Sequence, residues 1–133
     1  MATQIFVNLP VKNLDKSMAF FKGLGFKFNK KFTDKTAACM IIGENIHSML
    51  LTRAKFEGFA KKKIADTSKT KEVLTAISVE SRAKVDILVG KAVKLGGTEP
   101  GGPMDHGFMY YRSFDDLDGH TWEIFWMDPK AVK

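Results

Sequence analysis

The sequence predicts an α+β fold built as two tandem modules, each running strand, helix and then further strands. Three observations carry this reading: a strand followed by a capped helix occurs twice, apolar alternation follows each helix, and the order of elements repeats within 133 residues. That length is near the commonest size for one domain, so the two modules are read as halves of a single domain over residues 1–133. Module one spans about 1–55, a connecting loop about 56–71, and module two about 72–133.

The first strand is read over residues 5–11, where Ile5, Val7, Leu9 and Val11 fall on one face and Phe6, Asn8 and Pro10 on the other. Pro10 places its end at an edge or terminus, because proline lacks the N–H a ladder needs. Asn13 is an N-cap, and Leu14, Met18 and Phe21 then recur at helical spacing with Phe20 and Leu24 beside them. Gly23 and Gly25 end the helix, and Phe26-Lys27-Phe28 begins the next strand. Strands at 37–42 and 46–52 follow, joined by the hairpin signal Gly43-Glu44-Asn45. Residues 53–71 read as a loop with a possible helical turn, carrying Phe56 and Phe59 between basic groups as if to fold over something.

The pattern then restarts. Residues 72–79 read as a strand, Ser81 caps a helix, and Val85, Leu88, Val89, Ala92 and Leu95 make its apolar stripe before Gly96-Gly97. A Gly/Pro-rich loop from Thr98 to Gly107 leads to strands at 108–114 and 121–127, with Asp116-Leu117-Asp118-Gly119 as the tight turn between them. Superposing the halves matches Val11 with Val79, Leu24-Gly25 with Leu95-Gly96, and His47 with His120. A repeat this long does not suit a solenoid and fits a duplicated module.

Composition narrows the function classes. The net charge is +6, but the lysines are dispersed, and the one tight run, Lys61-Lys62-Lys63, has no nucleic-acid-binding motif beside it. A solvated basic surface is the expectation, with no nucleic-acid partner. No stretch is long and apolar enough for a membrane span, and the N-terminus lacks a signal-peptide layout, so a cytoplasmic protein is expected. The single cysteine, Cys39, lies in an apolar run and reads as a small buried hydrophobe.

Three blocks carry a family resemblance. They are Val11-Lys12-Asn13-Leu14-Asp15-Lys16-Ser17, then Phe20-Phe21 with Leu24-Gly25-Phe26, and finally Asp118-Gly119-His120-Thr121-Trp122-Glu123. They resemble the vicinal oxygen chelate superfamily, the glyoxalase/bleomycin-resistance/extradiol-dioxygenase group, over essentially the whole chain. The first block is similar to the family's V-x-D-L-x-x-S helix entry. The last is similar to its D-P-D-G-x-x-x-E ending, with Leu117 in place of the proline. The resemblance implies two βαβββ modules forming a curved mixed sheet around a cleft. In metal-dependent members, four ligands there, usually His, Glu or Gln, hold a divalent ion that chelates vicinal oxygens.

Carried over one at a time, the ligand positions fall on Phe6, Leu74, Leu50 and Glu123. Phenylalanine and leucine have no lone pair to donate, so no divalent metal is expected at the usual place and no cofactor is predicted. Glu123 is left as a general base, a hydrogen-bond acceptor for a ligand, or a structural carboxylate paired with Arg112 or a lysine. His47 and His120 are expected to point away from the cleft face, and His106 to lie in a loop that could swing over it. A ligand face is drawn from Phe6, Asn8, Leu50, Leu74, Thr121, Glu123 and Phe125, with Tyr110, Tyr111 and Arg112 on the neighbouring strand. Of that strand, Tyr110 and Arg112 are taken as ligand-binding.

Two functions follow from the resemblance. One is a metal-free protein that binds a small molecule in its cleft, similar to the bleomycin-binding members and, like them, a homodimer. The other is a lyase or isomerase using Glu123 as catalytic base, or a displaced metal site that includes His106. A packed, purely structural cleft is the third possibility.

Overall fold

Alternation along residues 5–11 produces β1 (Ile5–Val11), the edge strand on which Pro10 is tolerated. The computed structural model describes residues 2–132, and side chains through residue 131. After β1, Asn13 accepts a hydrogen bond from the Lys16 N–H at 3.0 Å and starts α1 (Leu14–Gly23). Leu14, Ser17, Phe20 and Phe21 are its buried stripe, the spacing a helix needs to lay one face on a sheet. The helix ends at Leu24 in a left-handed Gly25 (φ 104°), with Gly25 N–H bonded to Lys22 O and Phe26 N–H to Phe21 O. That pair of bonds satisfies two terminal carbonyls and requires a residue at ease with positive φ. Replacing Asn13 with alanine leaves the first-turn N–H without its acceptor. Urea unfolding at neutral pH is expected to show a loss of about 1 kcal/mol.

Next come β2 (Lys27–Asn29), a single 3-10 turn at Lys30–Phe32, β3 (Ala37–Gly43), β4 (Ile46–Thr52) and α2 (Arg53–Ala60). The sheet order is β1-β4-β3-β2, with β1 and β4 parallel and the other pairs antiparallel. Thr52 caps α2, and Lys61 closes it at φ 58°. The start of the segment read as a loop is therefore a full helix.

The second set repeats the plan with β5 (Leu74–Ser78), α3 (Arg82–Lys94), β6 (Met104–Asp105), β7 (Met109–Asp115) and β8 (Thr121–Met127), ordered β5-β8-β7-β6. Ser81 caps α3 through the Lys84 N–H, and Gly96 (φ 108°) ends it with the same two-bond pattern, Gly96 to Val93 O and Gly97 to Ala92 O. Equivalent caps at both ends of both helices, Asn13 with Gly25 and Ser81 with Gly96, are local support for duplication. The two-residue β6 was not predicted: it lies inside the Gly/Pro loop and pairs only Met104 with Tyr111 and Asp105 with Tyr110. With it, both modules read βαβββ, as the resemblance implies. The chain divides into two compact units, one ending at Asp66 and the next beginning at Thr67.

Each unit has its own core. In the first, Leu9, Val11, Phe20, Phe21, Met40 and Leu50 are buried; in the second, Val85, Val89, Ala92, Phe114, Trp122 and Ile124. Cys39 is buried as expected, and burial raises its thiol pKa, which keeps it protonated and unreactive.

Candidate functional site

Successive side chains of a strand point to opposite faces, so register decides which residues can meet. In the first unit Phe6 pairs with His47, Asn8 with Met49, Leu9 with Leu50, and Pro10 with Leu51. Asn8, Met49, Leu51 and Ala37 share one face and floor a pocket of about 400 Å³. Leu50 lies on the other face beside Leu9 and Ala38, with 0% of its surface exposed. Leu50 therefore does not belong with Phe6 and Asn8, and this corrects the sequence reading. The cause is one residue of register: Phe6 pairs with His47 as Leu74 pairs with Thr121, so His47 corresponds to Thr121 rather than to His120. A slip of one position turns every side chain over.

The same correction applies to His47. It is on the face of Phe6 and Asn8, 8% exposed, with its ring stacked on Phe6 at 4.5 Å between centroids. Its Nε2 lies in hydrogen-bond contact with the Gln4 side-chain amide at 2.8 Å. Nδ1 is buried and has no hydrogen-bond partner among the described residues.

The pocket walls come from two short elements. The 3-10 turn, held by the Asn29 side chain accepting from Lys31 N–H, brings Lys31 and Phe32, and Thr33 and Asp34 follow. Opposite, α2 contributes Lys55 and Phe59. Thr36 ties the walls together: its Oγ1 donates to Asp34 Oδ1 at 2.9 Å and accepts from Lys55 Nζ at 3.0 Å. Asp34 also accepts from the backbone N–H groups of Thr36 (2.8 Å) and Ala37 (3.0 Å). These bonds, the Thr36 backbone first, hold its carboxyl below the usual carboxylate range.

In the second unit the face away from α3 carries Leu74, Thr121, Glu123 and Phe125, with Ala76 and Ser113 beside Glu123 in the register. Glu123 is partly exposed, and its carboxylate makes no hydrogen bond or ion pair with the described residues. Thr121 is buried and donates to Asp115 Oδ1 at 2.6 Å. His106 is exposed in the β6–β7 turn, its backbone N–H donating to Met109 O.

Tyr110 and Arg112, read as ligand-facing, lie on the opposite side, against α3. Tyr110 Oη donates to Asp86 Oδ1 at 2.6 Å, and Arg112 forks onto Glu99 at 2.8 and 2.7 Å while its Nη1 reaches Asp86 at 2.9 Å. Arg112 is thus Glu99's partner and not Glu123's. Arg82 of α3 makes a second fork onto Asp105 and stacks over Tyr110 and Trp126, which anchors β6 to the helix.

This network sets an acid response. Bonds from Tyr110 and then Arg112 lower the pKa of Asp86, a bond from Arg112 lowers that of Glu99, and a bond from Arg82 lowers that of Asp105. A depressed folded-state pKa stabilises the fold above the unfolded value, about 4, and the gain is lost as pH falls through the folded value. The urea midpoint is expected to hold at neutral pH and fall below about pH 4, and Arg112→Met is expected to flatten that fall. An equally steep acid limb in the variant would assign the response to other carboxylates.

Aligning the modules by register rather than by motif moves the third inferred ligand position to Met49, which stands to Asn8 as Glu123 stands to Ala76. The four positions then hold Phe6, Met49, Leu74 and Glu123. Two are hydrocarbon, and the third is a thioether that suits soft metals rather than a hard divalent ion. Taken unit by unit, these positions offer no hard donor in the first and Glu123 alone in the second, and among the described residues no three His, Cys, Asp or Glu side chains gather as a metal cluster.

Sequence reasoning missed the pocket walls: Lys31, Phe32, Asp34 and Lys55 carry no motif. Phe59 had a signal, an aromatic residue set among lysines in a polar segment.

A sequence profile of the family described as "Glyoxalase/Bleomycin resistance protein/Dioxygenase superfamily" matches residues 4–124. No curated protein sequence matches. Among solved structures, a hypothetical protein from S. aureus is 29% identical with a TM-score of 0.80, covering 94% of each chain. A glyoxalase/bleomycin resistance protein/dioxygenase family enzyme from Burkholderia phytofirmans PsJN is 16% identical, with a TM-score of 0.80 over 95% of this chain and 99% of its own. The fosfomycin resistance protein FosX from Mesorhizobium loti is 14% identical, with a TM-score of 0.69 over 98% and 97%.

Proposed function

The chain belongs to the glyoxalase/bleomycin resistance protein/dioxygenase superfamily, and from that premise we propose that it binds a small molecule without the divalent metal of the metal-dependent members. The pocket on the open sheet face of the first unit carries this reading. Its volume of about 400 Å³ suits a small ligand, and it combines apolar floor residues with a few fixed polar groups, the usual makeup of such sites. The absence of a hard donor at Phe6 and Met49 in the first unit and at Leu74 in the second supports the metal-free part of the proposal.

The test is a thermal-shift screen of a broad small-molecule library, run with and without chelator. A ligand that binds only the folded state stabilises it by mass action, about 2.7 kcal/mol at a hundredfold excess over Kd. Stabilisation by a library member, unchanged by chelator, is the expected result. A stoichiometric divalent ion whose removal lowers the melting temperature would overturn the metal-free reading, and no stabilising compound would overturn the binding reading.

Glu123 supports a second reading, a lyase or isomerase in which its unpartnered carboxylate takes a proton from bound substrate. Glu123→Gln would then abolish turnover while leaving ligand binding in place. The family resemblance also supports a homodimer in the cytoplasm; light scattering that returns the monomer mass at micromolar concentration would count against the dimer.

A further inference from the structure

We propose that the pocket of the first unit selects a monoanionic molecule with a flat apolar body, such as an aryl carboxylate. The inference rests on the small-molecule reading above and adds its chemistry. Three charged side chains line the pocket, Lys31, Lys55 and Asp34. The carboxylate of Asp34 is engaged by two N–H groups and the Thr36 hydroxyl, and Lys55 offsets it through Thr36 and through space. Lys31 has no side-chain partner among the described residues. The lining is therefore one positive charge in excess, and the group without an internal partner is an ammonium at the rim.

The apolar part of the lining supports a flat body. Phe32 and Phe59 rise from opposite walls with 64% and 66% of their surface exposed, unusual for phenylalanine, and Met49 and Leu51 lie on the floor beside Asn8. Two exposed rings flanking a methionine offer stacking and sulfur–aromatic contacts to a planar guest. Asn8 can accept from or donate to a polar substituent. A cation of the same shape would meet the excess positive charge, and a neutral analogue would forgo the ammonium contact. Because Lys31 is exposed, its attraction is screened by salt.

The experiment compares naphthoate, naphthamide and naphthylmethylammonium by calorimetry, with amide shifts mapped by heteronuclear NMR on the full chain. Naphthoate is expected to bind about three- to five-fold more tightly than the amide, the size of one exposed charge contact, and the ammonium more weakly than either. The shifts should centre on Asn8, Thr33, Met49 and Lys55, and added salt should erode the preference. Lys31→Glu should lower naphthoate affinity about ten-fold or more while leaving naphthamide unchanged, and Phe59→Ser should weaken both. Both substituted residues are exposed, so the fold is retained. Equal binding of the three probes, an unaffected Lys31→Glu variant, or shifts centred on Glu123 would overturn the charge selection and leave small-molecule binding standing. Failure of every probe together with every library compound would overturn both.

Discussion

Trp122→Ala is expected to lower the unfolding free energy by about 4 kcal/mol. Trp122 lies on the α3 side of β8 with 1% of its surface exposed, so truncation opens a cavity among Phe114, Ile124 and the α3 stripe. It also removes a donor. Trp122 Nε1 bonds Asp116 Oδ2 at 2.9 Å, and the same carboxylate accepts from the N–H groups of Asp118 and His120. Burial is the main influence on Asp116 and raises its pKa, opposed by the His120 charge and these bonds. A loss of this size is a large share of the 5–15 kcal/mol typical of a folded domain. Trp122→Phe separates the two contributions, keeping most of the ring while losing the donor, and should cost about 1–3 kcal/mol. Its pH dependence has a definite sign. A carboxyl whose folded-state pKa is raised loses stability as pH rises from the unfolded value, about 4, through the folded one. Losing the Trp122 donor raises that pKa further, so the deficit of Trp122→Phe should be smaller near pH 4 than at pH 7. A deficit that does not change with pH would show that the bond contributes nothing to holding the charge.

Gly119→Ala should be the second largest, about 2–3 kcal/mol by urea unfolding. Gly119 has φ 78°, and a Cβ there would sit 2.6 Å from Thr67 Oγ1 and 3.2 Å from Thr67 Cβ. Thr67 cannot easily retreat, because its hydroxyl donates to Asp118 O at 2.7 Å, and Lys71 Nζ bonds Gly119 O next to it. Gly25→Ala is the control: φ is 104°, but a Cβ there meets nothing within 4 Å, so only the backbone term, about 1 kcal/mol, remains. Equal losses at the two positions would mean that the Thr67 contact yields without strain.

The fold was legible because its signals are local. Asn13 and Ser81 as caps, Gly25 and Gly96 as stops, and the apolar stripe of α3 need no tertiary knowledge. The missed elements lack such signals. Two-residue β6 is shaped by the Arg82–Asp105 pair and the β7 ladder, which connect residues far apart in sequence. α2 is only eight residues long, holds a glycine and buries no side chain fully, so it leaves little of a packing stripe to read.

The candidate site was half legible for a sharper reason. Strand alternation assigns faces only relative to a known reference, and nothing in β4 itself says which of its residues stands opposite Phe6. Leu50 was placed with Phe6 by matching His47 to His120, a one-residue error that exchanged Met49 for Leu50 and turned His47 the wrong way. On β7 the face is settled by the ladder: Ser113 pairs with Glu123, so Arg112 and Tyr110 face the helix. The acidic partners that fix them there, Asp86 and Glu99, have no motif of their own.

The strand order has a consequence for how the chain is made. In each module the first strand lies beside the last, β1 on β4 and β5 on β8, while the intervening strands are laid down outward from there. During synthesis β1 must therefore wait, without a neighbour, until residues 46–52 have left the ribosome. The first module can then close while the second is still emerging. The second follows the same rule: β8 sits between β5 and β7, so β5 stays without a neighbour until residues 121–127 are out. Leu74, more than half exposed even in the finished sheet, is then an apolar strand end open to chaperones for most of the time the second half takes to appear.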